Sequence, residues 1–182
     1  MIFVHTTRQK CIPMKKIIET ERLYLREFTM DDAQLLLELN SDPRVTMYTE
    51  KGGIRTIEEA ENRLRNDILL QYSEHGIGRW AVHLKGTDEF VGWCGIKHSK
   101  TDQAVTLGYR FFHKHWGKGF ATEASKACLD YGINVLKLEN IIAKAMKENT
   151  ASIRVMQKLG MVYLRNDICA EHPAEVYTTP QS

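Results

Sequence analysis

Apolar and polar residues in the first part of the chain follow two different periods. Residues 22–28 alternate with a period of two, as in a strand, with Leu23 and Leu25 on one face. Thr29 then stands where a helix N-cap is expected, and two aspartates follow in the first turn, where the helix dipole favours anions. The pattern therefore predicts a strand and then a helix that ends before residues 42–43, an Asp-Pro pair.

A second helix and a hairpin are predicted next. Thr56, with Glu59 three residues later, forms a capping-box pattern, and the helix that it opens runs to about His75. Two extended segments, Arg79–Lys85 and Phe90–Ile96, are separated by a Gly-Thr-Asp turn. This arrangement is typical of a β-hairpin.

The second half of the chain continues with strands and helices. Ala104–Phe112 is predicted as a strand, and a long helix is predicted from Gly119. Residues of that helix fall on one stripe at helical spacing, namely Ala121, Ala124, Cys128, Tyr131 and Val135.

Shorter elements close the chain. Ile141–Ala145 is a short apolar strand, and Asn149 caps a helix that ends at Leu159-Gly160, where glycine suits a left-handed C-terminal position. Met161–Leu164 and Val176–Thr178 are predicted as closing strands.

This order of elements predicts an α/β fold with a mixed, mostly antiparallel sheet flanked by helices. We expect one domain over residues 14–182, preceded by a disordered extension over residues 1–13, which lack any periodicity. The segment after Asp167 is short for a closing hairpin, and the sequence does not show how that hairpin closes.

Composition narrows the class of protein. The chain has 182 residues, of which 43% are hydrophobic and 26% charged, and a net charge of +2. These values are typical of a single globular domain and do not indicate a nucleic-acid or membrane partner. The four cysteines show no metal-ligand spacing, and no segment has the length of a signal peptide or a membrane span. We therefore expect a cytoplasmic protein with reduced thiols and no metal site.

Residues 109–123 carry the clearest chemical pattern, because a strand enters a turn with two glycines and the turn opens a helix. The first N–H groups of a helix have no internal partner and attract anions. Gly117 and Gly119 allow the backbone to close around phosphate oxygens, and Lys118 adds positive charge. The segment matches neither a Walker A loop nor the dinucleotide fingerprint. A glycine-rich turn without any ligand remains an alternative.

Together with the downstream segment 149–161, this loop resembles the GNAT N-acetyltransferase superfamily. The similarity is greatest to its RimJ/RimL-like branch, which includes ribosomal-protein N-terminal acetyltransferases. Thr20-Glu21-Arg22-Leu23-Tyr24-Leu25-Arg26, Leu107-Gly108-Tyr109, Ala121-Thr122-Glu123-Ala124 and Ala151-Ser152-Ile153-Arg154 belong to the same resemblance, which covers roughly residues 18–165.

The resemblance implies an acetyl-CoA site between two splayed central strands. The family's pyrophosphate motif falls on Trp116, Gly117, Lys118, Gly119, Phe120 and Ala121, with Thr122 following in the same helix turn. Trp116 departs from the family's polar first position, so the resemblance implies that a polar contact is lost there. Main-chain groups near Tyr109 and Phe111 would face the pantetheine arm, and Asn149 would touch it. Asn149 could equally serve only as a helix cap.

Two departures from the family pattern bear on the mechanism. Many relatives have a tyrosine that protonates the departing thiolate, and Met156 stands there. The branch suggests Ser152 as the substitute acid, although a solvated serine is the alternative. The branch glutamate that precedes the Gly-Tyr step is replaced by Thr106, so no general base carries over. Candidates left open are His98, His83, Glu27 and a water relay, whereas Glu123 is expected to be a packing carboxylate.

The resemblance implies an N-acetyltransferase that moves an acetyl group from acetyl-CoA to a primary amine by direct attack. The acceptor is either a protein N-terminus or a small molecule, and the protein is expected to be a monomer or a homodimer. A catalytically weak acyl-CoA-binding module is the first alternative. A nucleotide-binding enzyme that uses the same glycine turn for another diphosphate is the second.

Overall fold

In the computed structural model, which describes residues 16–49 and 53–180, the strands form one eight-stranded sheet. The strands follow the chain except at the end, where the last two exchange places, so that the order is β1-β2-β3-β4-β5-β6-β8-β7. The strands are β1 Lys16–Glu19, β2 Leu23–Arg26, β3 Arg79–Leu84, β4 Phe90–Ser99, β5 Ala104–Phe111, β6 Ile141–Met146, β7 Val162–Cys169 and β8 His172–Thr178.

Helices cover both faces of this sheet. They are α1 Ala33–Ser41, α2 Pro43–Thr46, α3 Ile57–Arg63, α4 Leu69–His75, α5 Phe120–Asp130 and α6 Thr150–Lys158. A π-helical turn, Leu64–Ile68, joins α3 to α4, so that the predicted helix from Thr56 to His75 is continuous. Thr56 accepts the N–H of Glu59 at 3.1 Å, as the capping box predicts.

Two apolar clusters hold the layers together. On one face, Trp80, Cys94 and Ile96 of the sheet pack with Ala124 of α5 and Met156 of α6. On the other face, Ala81 and Phe90 pack with α1, α3 and the π-helical turn. None of the described cysteines forms a disulfide, and Cys94 and Cys128 meet inside the first cluster with their Sγ atoms 3.6 Å apart.

The pairing between β5 and β6 is the feature that positions the site. β5 pairs with β4 along its whole length, from Ala104 opposite Ser99 to Phe111 opposite Gly92. Its pairing with β6 is parallel and is limited to Val105 and Thr106. Beyond Thr106 the two strands separate, which opens a gap in the sheet towards the end of β5.

Most of the predicted elements are present, with two corrections. Val135 is 62% exposed rather than on the buried stripe, because α5 passes into a π-helical turn at Tyr131 and the side-chain register shifts. The closing hairpin needs no further residues, because β7 and β8 are joined directly through Ala170 and Glu171. Both have positive φ, 49° and 68°, as in a tight two-residue turn.

The predicted extension at residues 1–13 lies outside the described residues. Within the described part of the chain, no helix combines the length and the apolar character needed to cross a membrane.

The start of α1 is fixed by a buried ion pair. Arg26 of β2 donates to both carboxylate oxygens of Asp32 at 2.7 and 2.8 Å, and the Thr29 N–H donates to the same carboxylate at 2.8 Å. Burial alone would raise the pKa of Asp32, but the hydrogen bonds from Arg26 and Thr29 outweigh it and hold that pKa below its usual value. The carboxylate therefore stabilises the folded state as an anion.

We expect Asp32→Asn to lower the free energy of unfolding by about 3–5 kcal/mol, because Arg26 keeps a buried charge without its partner. The control Asp130→Asn breaks an exposed pair with Lys126 and should change stability by less than about 0.5 kcal/mol. Denaturant titration measures both.

The same pair gives a pH dependence with a definite sign. A lowered pKa in the folded state means that the contribution of Asp32 is complete above its ordinary pKa of 3.8 and is lost as the pH falls through the folded value. The stability advantage of the parent over Asp32→Asn should therefore shrink below about pH 4. An advantage that is constant down to pH 2 contradicts this assignment.

Candidate active site

The open end of β5 presents backbone groups to the gap. The Phe112 N–H donates to Val91 O of β4 at 3.1 Å. Because successive residues of a strand direct their backbone groups to opposite sides, Tyr109 and Phe111 direct theirs away from β4 and towards β6. No strand pairs with β5 on that side beyond Thr106. The main chain of Tyr109 and Phe111 therefore faces the gap, and its predicted contact with a cofactor arm stays a prediction.

The loop after β5 supplies a row of hydrogen-bond donors. Gly117 and Gly119 both have positive φ, 75° and 82°, and Gly119 is the N-cap of α5. The first hydrogen bond of the helix runs from Glu123 N–H to Gly119 O at 3.0 Å. In the described part of the chain, the N–H groups from Gly117 to Thr122 donate to no protein atom. Unpaired N–H groups and the positive end of a helix dipole are features that suit an anion.

Arg22, which is far from the loop in sequence, holds the loop in place through hydrogen bonds. The guanidinium of Arg22 donates to Lys118 O at 3.0 Å and to the carboxylate of Glu123 at 2.7 Å. The same carboxylate accepts Thr20 Oγ1 at 2.6 Å and Arg22 N–H at 2.9 Å. Burial raises the pKa of Glu123, but these hydrogen bonds outweigh it and lower the pKa. Glu123 is therefore the packing carboxylate that the sequence predicts, and Arg22 is its partner.

Trp116 makes a polar contact that the sequence analysis missed. Its indole Nε1 donates to Phe111 O at 2.9 Å, and its ring lies 4.8 Å from that of His113. Trp116 therefore ties the loop to the end of β5 through its side chain, and the expected loss of a polar contact to the cofactor at this position stays a prediction. The Phe111 carbonyl faces the gap but already accepts this hydrogen bond from Trp116. The N–H is therefore the hydrogen-bonding group that Phe111 presents to a ligand in the gap.

The first turn of α6 lies on the other side of the gap. Asn149 caps the helix by accepting Ser152 N–H at 3.1 Å. The hydroxyl of Tyr109 donates to Ser152 O at 3.2 Å, so the predicted acid lies beside β5 and is half-buried. Burial raises the pKa of Tyr109 to about 12, which keeps its hydroxyl protonated. Met156 is buried in the core at 1% exposure and contributes no group to the gap.

A cavity of about 290 Å³ opens where the loop, α2 and α6 meet. The fold brings α2 next to α6, and the walls of the cavity include Arg44, Met47, Tyr48, His113, Glu148, Thr150 and Ala151. Trp116 and Asn149 complete the lining and connect the cavity to the predicted cofactor residues.

The candidate bases are not brought together at this cavity. His83 lies on β3, two strands from β5, with its ring between Tyr24 and Phe90 and its pKa lowered by burial. His98 pairs with Val105 at the far end of β5, and Glu27 is exposed after β2. None of these three residues lines the cavity.

Comparison with known proteins identifies the family. Residues 22–162 match the family described as "Acetyltransferase (GNAT) domain". The chain belongs to this family. Its members are acetyl-CoA-dependent N-acetyltransferases, so the prediction of family and of enzyme class is confirmed.

Relatives of similar length support the assignment. The chain is 37% identical over 144 residues to the uncharacterized N-acetyltransferase p20 of Bacillus licheniformis, which covers 78% of this chain and 79% of that protein. It is 35% identical over 168 residues to YkkB of Bacillus subtilis, covering 90% and 95%.

Solved structures show the same fold. A GNAT acetyltransferase from Bacillus anthracis has a TM-score of 0.74 at 30% identity, covering 89% of this chain and 96% of that one. RimL, a ribosomal L7/L12 alpha-N-protein acetyltransferase solved with coenzyme A, has a TM-score of 0.77 at 14% identity, covering 91% and 97%. The predicted fold class is therefore confirmed, with RimL among the structural neighbours.

The bracing of the loop can be tested with Glu123→Ala. The variant removes the acceptor for Thr20 and Arg22, so we expect the free energy of unfolding to fall by about 1–2 kcal/mol. Amide hydrogen exchange at residues 123–126, which are hydrogen-bonded in the first turns of α5, should become faster. The control Glu139→Ala changes an exposed carboxylate and should leave both quantities unchanged. Equal effects of the two substitutions contradict a bracing role for Glu123.

Proposed function

We propose that the protein binds acetyl-CoA in the gap between β5 and β6 and transfers its acetyl group to a primary amine by direct attack. The observation that carries the proposal is the row of unpaired N–H groups from Gly117 to Thr122 at the end of a strand whose own backbone is open. Such donors suit the pyrophosphate of the cofactor, and the strand edge suits an amide-bearing arm.

The residues present fit this cofactor. At Gly117 a Cβ would meet no atom within 4 Å, so the space beside the loop is open to a ligand. We assign pyrophosphate binding to the segment from Trp116 to Thr122, with Gly117, Lys118, Gly119, Phe120 and Ala121 between them. The main chain of Tyr109 and Phe111 and the side chain of Asn149 would contact the pantetheine arm.

Bound acetyl-CoA supplies a thioester whose carbonyl carbon accepts the amine. The Phe111 N–H is placed to donate to a carbonyl oxygen in the gap, which stabilises charge that develops there. The Ser152 hydroxyl, at the first turn of α6, would donate a proton to the leaving thiolate. The Tyr109 hydroxyl lies beside it and is the second candidate for that proton.

The acceptor class is left open between a protein N-terminus and a small molecule. Among similar proteins, RimL is named for a protein N-terminus and the spermidine N(1)-acetyltransferase of Escherichia coli for a polyamine. The second matches this chain at 43% identity over only 47 residues. We propose an enzyme that works in the cytoplasm as a monomer or a homodimer. Met156 and Thr106 stand where many relatives have the catalytic tyrosine and glutamate, and both are buried. They favour a weak acyl-CoA-binding module as the alternative function.

Steady-state release of CoA with a panel of primary amines tests the proposal. Turnover with any amine above the rate of thioester hydrolysis supports it. Binding of CoA without turnover in the whole panel indicates the binding module instead. Equal thermal stabilisation by ATP, NAD and CoA indicates the nucleotide-binding alternative.

Gly119→Val should weaken CoA binding at least about tenfold, or ~1.4 kcal/mol, because φ is 82° there and a Cβ would lie 3.4 Å from Arg22 Nη2, so the loop would have to shift the N–H groups that it presents. The control Gly86→Val changes another glycine with positive φ, 87°, and no neighbour within 4 Å of its Cβ. It carries the same backbone strain far from the loop. Calorimetric titration with CoA measures both variants, and a similar affinity in the two would exclude the loop from the site.

Ser152→Ala should lower kcat about 10²–10⁴-fold if the hydroxyl is the acid. The dissociation constant for acetyl-CoA should change little, since one neutral hydrogen bond contributes only about 0.5–1.5 kcal/mol. Tyr109→Phe is the comparison variant and should retain most of kcat. If Tyr109→Phe loses the rate and Ser152→Ala remains within twofold of the parent, the acid is Tyr109.

A further inference from the structure

The sheet face beneath α1 and α3 contains an excess of positive charge. The indole of Trp93 lies at its centre, with the guanidinium carbon of Arg79 5.4 Å from the ring centroid and that of Arg110 5.5 Å away. Arg63 of α3 and Lys97 of β4 are further cations in this cluster. We call these four basic residues the cationic cluster.

Asp67 is the single carboxylate that the described residues place in contact with the cluster, and it serves two of its members. Its oxygens lie 3.0 Å from Lys97 Nζ and 3.4 Å from Arg63 Nη1. Arg79 instead donates to neutral acceptors, namely Gly95 O, Thr106 O at 2.9 Å and Thr106 Oγ1 at 3.3 Å. The positive charge of Arg79 is therefore hydrogen-bonded but not neutralised.

Arg110 has the least compensated charge in the cluster. Its guanidinium donates to the amide oxygen of Asn40, and within the described residues no carboxylate contacts it. Burial, together with the neighbouring charges of Arg63 and Arg79, lowers the pKa of Arg110 to about 10. A half-buried guanidinium among other cations is destabilising unless an anion joins it.

The position of Arg110 connects this excess charge to the proposed reaction. Arg110 lies on β5 between Tyr109 and Phe111, whose backbone faces the gap. Its side chain contacts Trp93 and Asn40, whereas that of Tyr109 reaches α6 on the opposite face. Asn40 is at the end of α1, immediately before the segment that gives Arg44, Met47 and Tyr48 to the cavity.

We propose that Arg110 binds an acidic group of the acceptor, and that the acceptor is a small primary amine that carries a carboxylate. This inference rests on the proposed function. A guanidinium can hold a carboxylate through two parallel hydrogen bonds, which fixes the orientation of the amine as well as its affinity. Arg110 is in this sense a specificity-determining residue.

The test compares acceptors that differ only in the acidic group. Glycine, L-phenylalanine and L-glutamate are each compared with the corresponding α-carboxamide, and initial rates of CoA release give kcat and KM. In at least one of these pairs, we expect the acid to have a kcat/KM about tenfold or more above that of the amide. Arg110→Gln should abolish this preference mainly through KM of the acid and leave the amide unchanged.

Three further variants separate recognition from folding. Arg110→Lys keeps a charge and should retain part of the preference. Asn40→Asp keeps Arg110 but gives it a carboxylate within the protein, so the preference should be lost although the arginine is present. Arg65→Gln removes an exposed charge from the π-helical turn and should behave as the parent.

A binding measurement decides the inference even if no amine in the panel is acetylated. Succinate is titrated into the CoA-saturated parent and into Arg110→Gln, with succinamide as the neutral probe. Succinate binding that is lost in the variant supports the inference. Equal succinate binding in parent and variant, or an Arg110→Gln variant that slows acid and amide alike, overturns it. Absence of turnover with normal CoA binding refutes the proposed function rather than the anion site.

Discussion

The site depends on β5, which is paired with β6 only over its first residues. β5 pairs with β4 to its end but with β6 only at Val105 and Thr106, and buried backbone groups must be hydrogen-bonded somewhere. The next residues turn directly into α5, whose first N–H groups also lack partners. Two sets of unsatisfied donors therefore meet at one place, one from a strand edge and one from a helix end. An amide-bearing chain that ends in phosphates satisfies both, which is why the fold itself favours such a ligand.

Close packing on the sheet face that holds the cationic cluster explains why residues 95 and 108 are glycines. A Cβ at Gly108 would lie 2.7 Å from Arg79 Nη2, and one at Gly95 would meet the backbone at Gly78 O, the residue before β3. Arg79 thus crosses the sheet over Gly108 to reach Thr106. The Leu-Gly-Tyr step therefore does two things: its glycine makes room for a buried arginine on one face, and its tyrosine reaches Ser152 on the other.

The sequence predicts the elements and the loop because those depend on local patterns. Period, caps and glycines fix where α5 and α6 begin, and the Asn149 cap is formed as predicted. Contacts between distant segments leave no local trace. The Arg22–Glu123 bond joins residues about a hundred positions apart, and the indole of Trp116 finds an acceptor only because the loop folds back on β5. His115 is buried beside Phe120 for the same reason.

Thr106 explains two features together: the carboxylate base of the related branch is missing, and the cationic cluster has an excess of positive charge. Its hydroxyl and carbonyl both accept from Arg79, and the residue is 8% exposed, so it holds the sheet together and offers no proton acceptor to the gap. A glutamate there, as in the related branch, would also neutralise Arg79. With threonine, the cationic cluster keeps its charge, and like charges lower the pKa of an ammonium group that binds beside them. On the proposed function, an amine that approaches this face is therefore shifted towards its neutral, nucleophilic form before it reaches the thioester. On the same proposal, water is a candidate acceptor for the proton that the amine loses, and a carboxylate base in the sheet is not required.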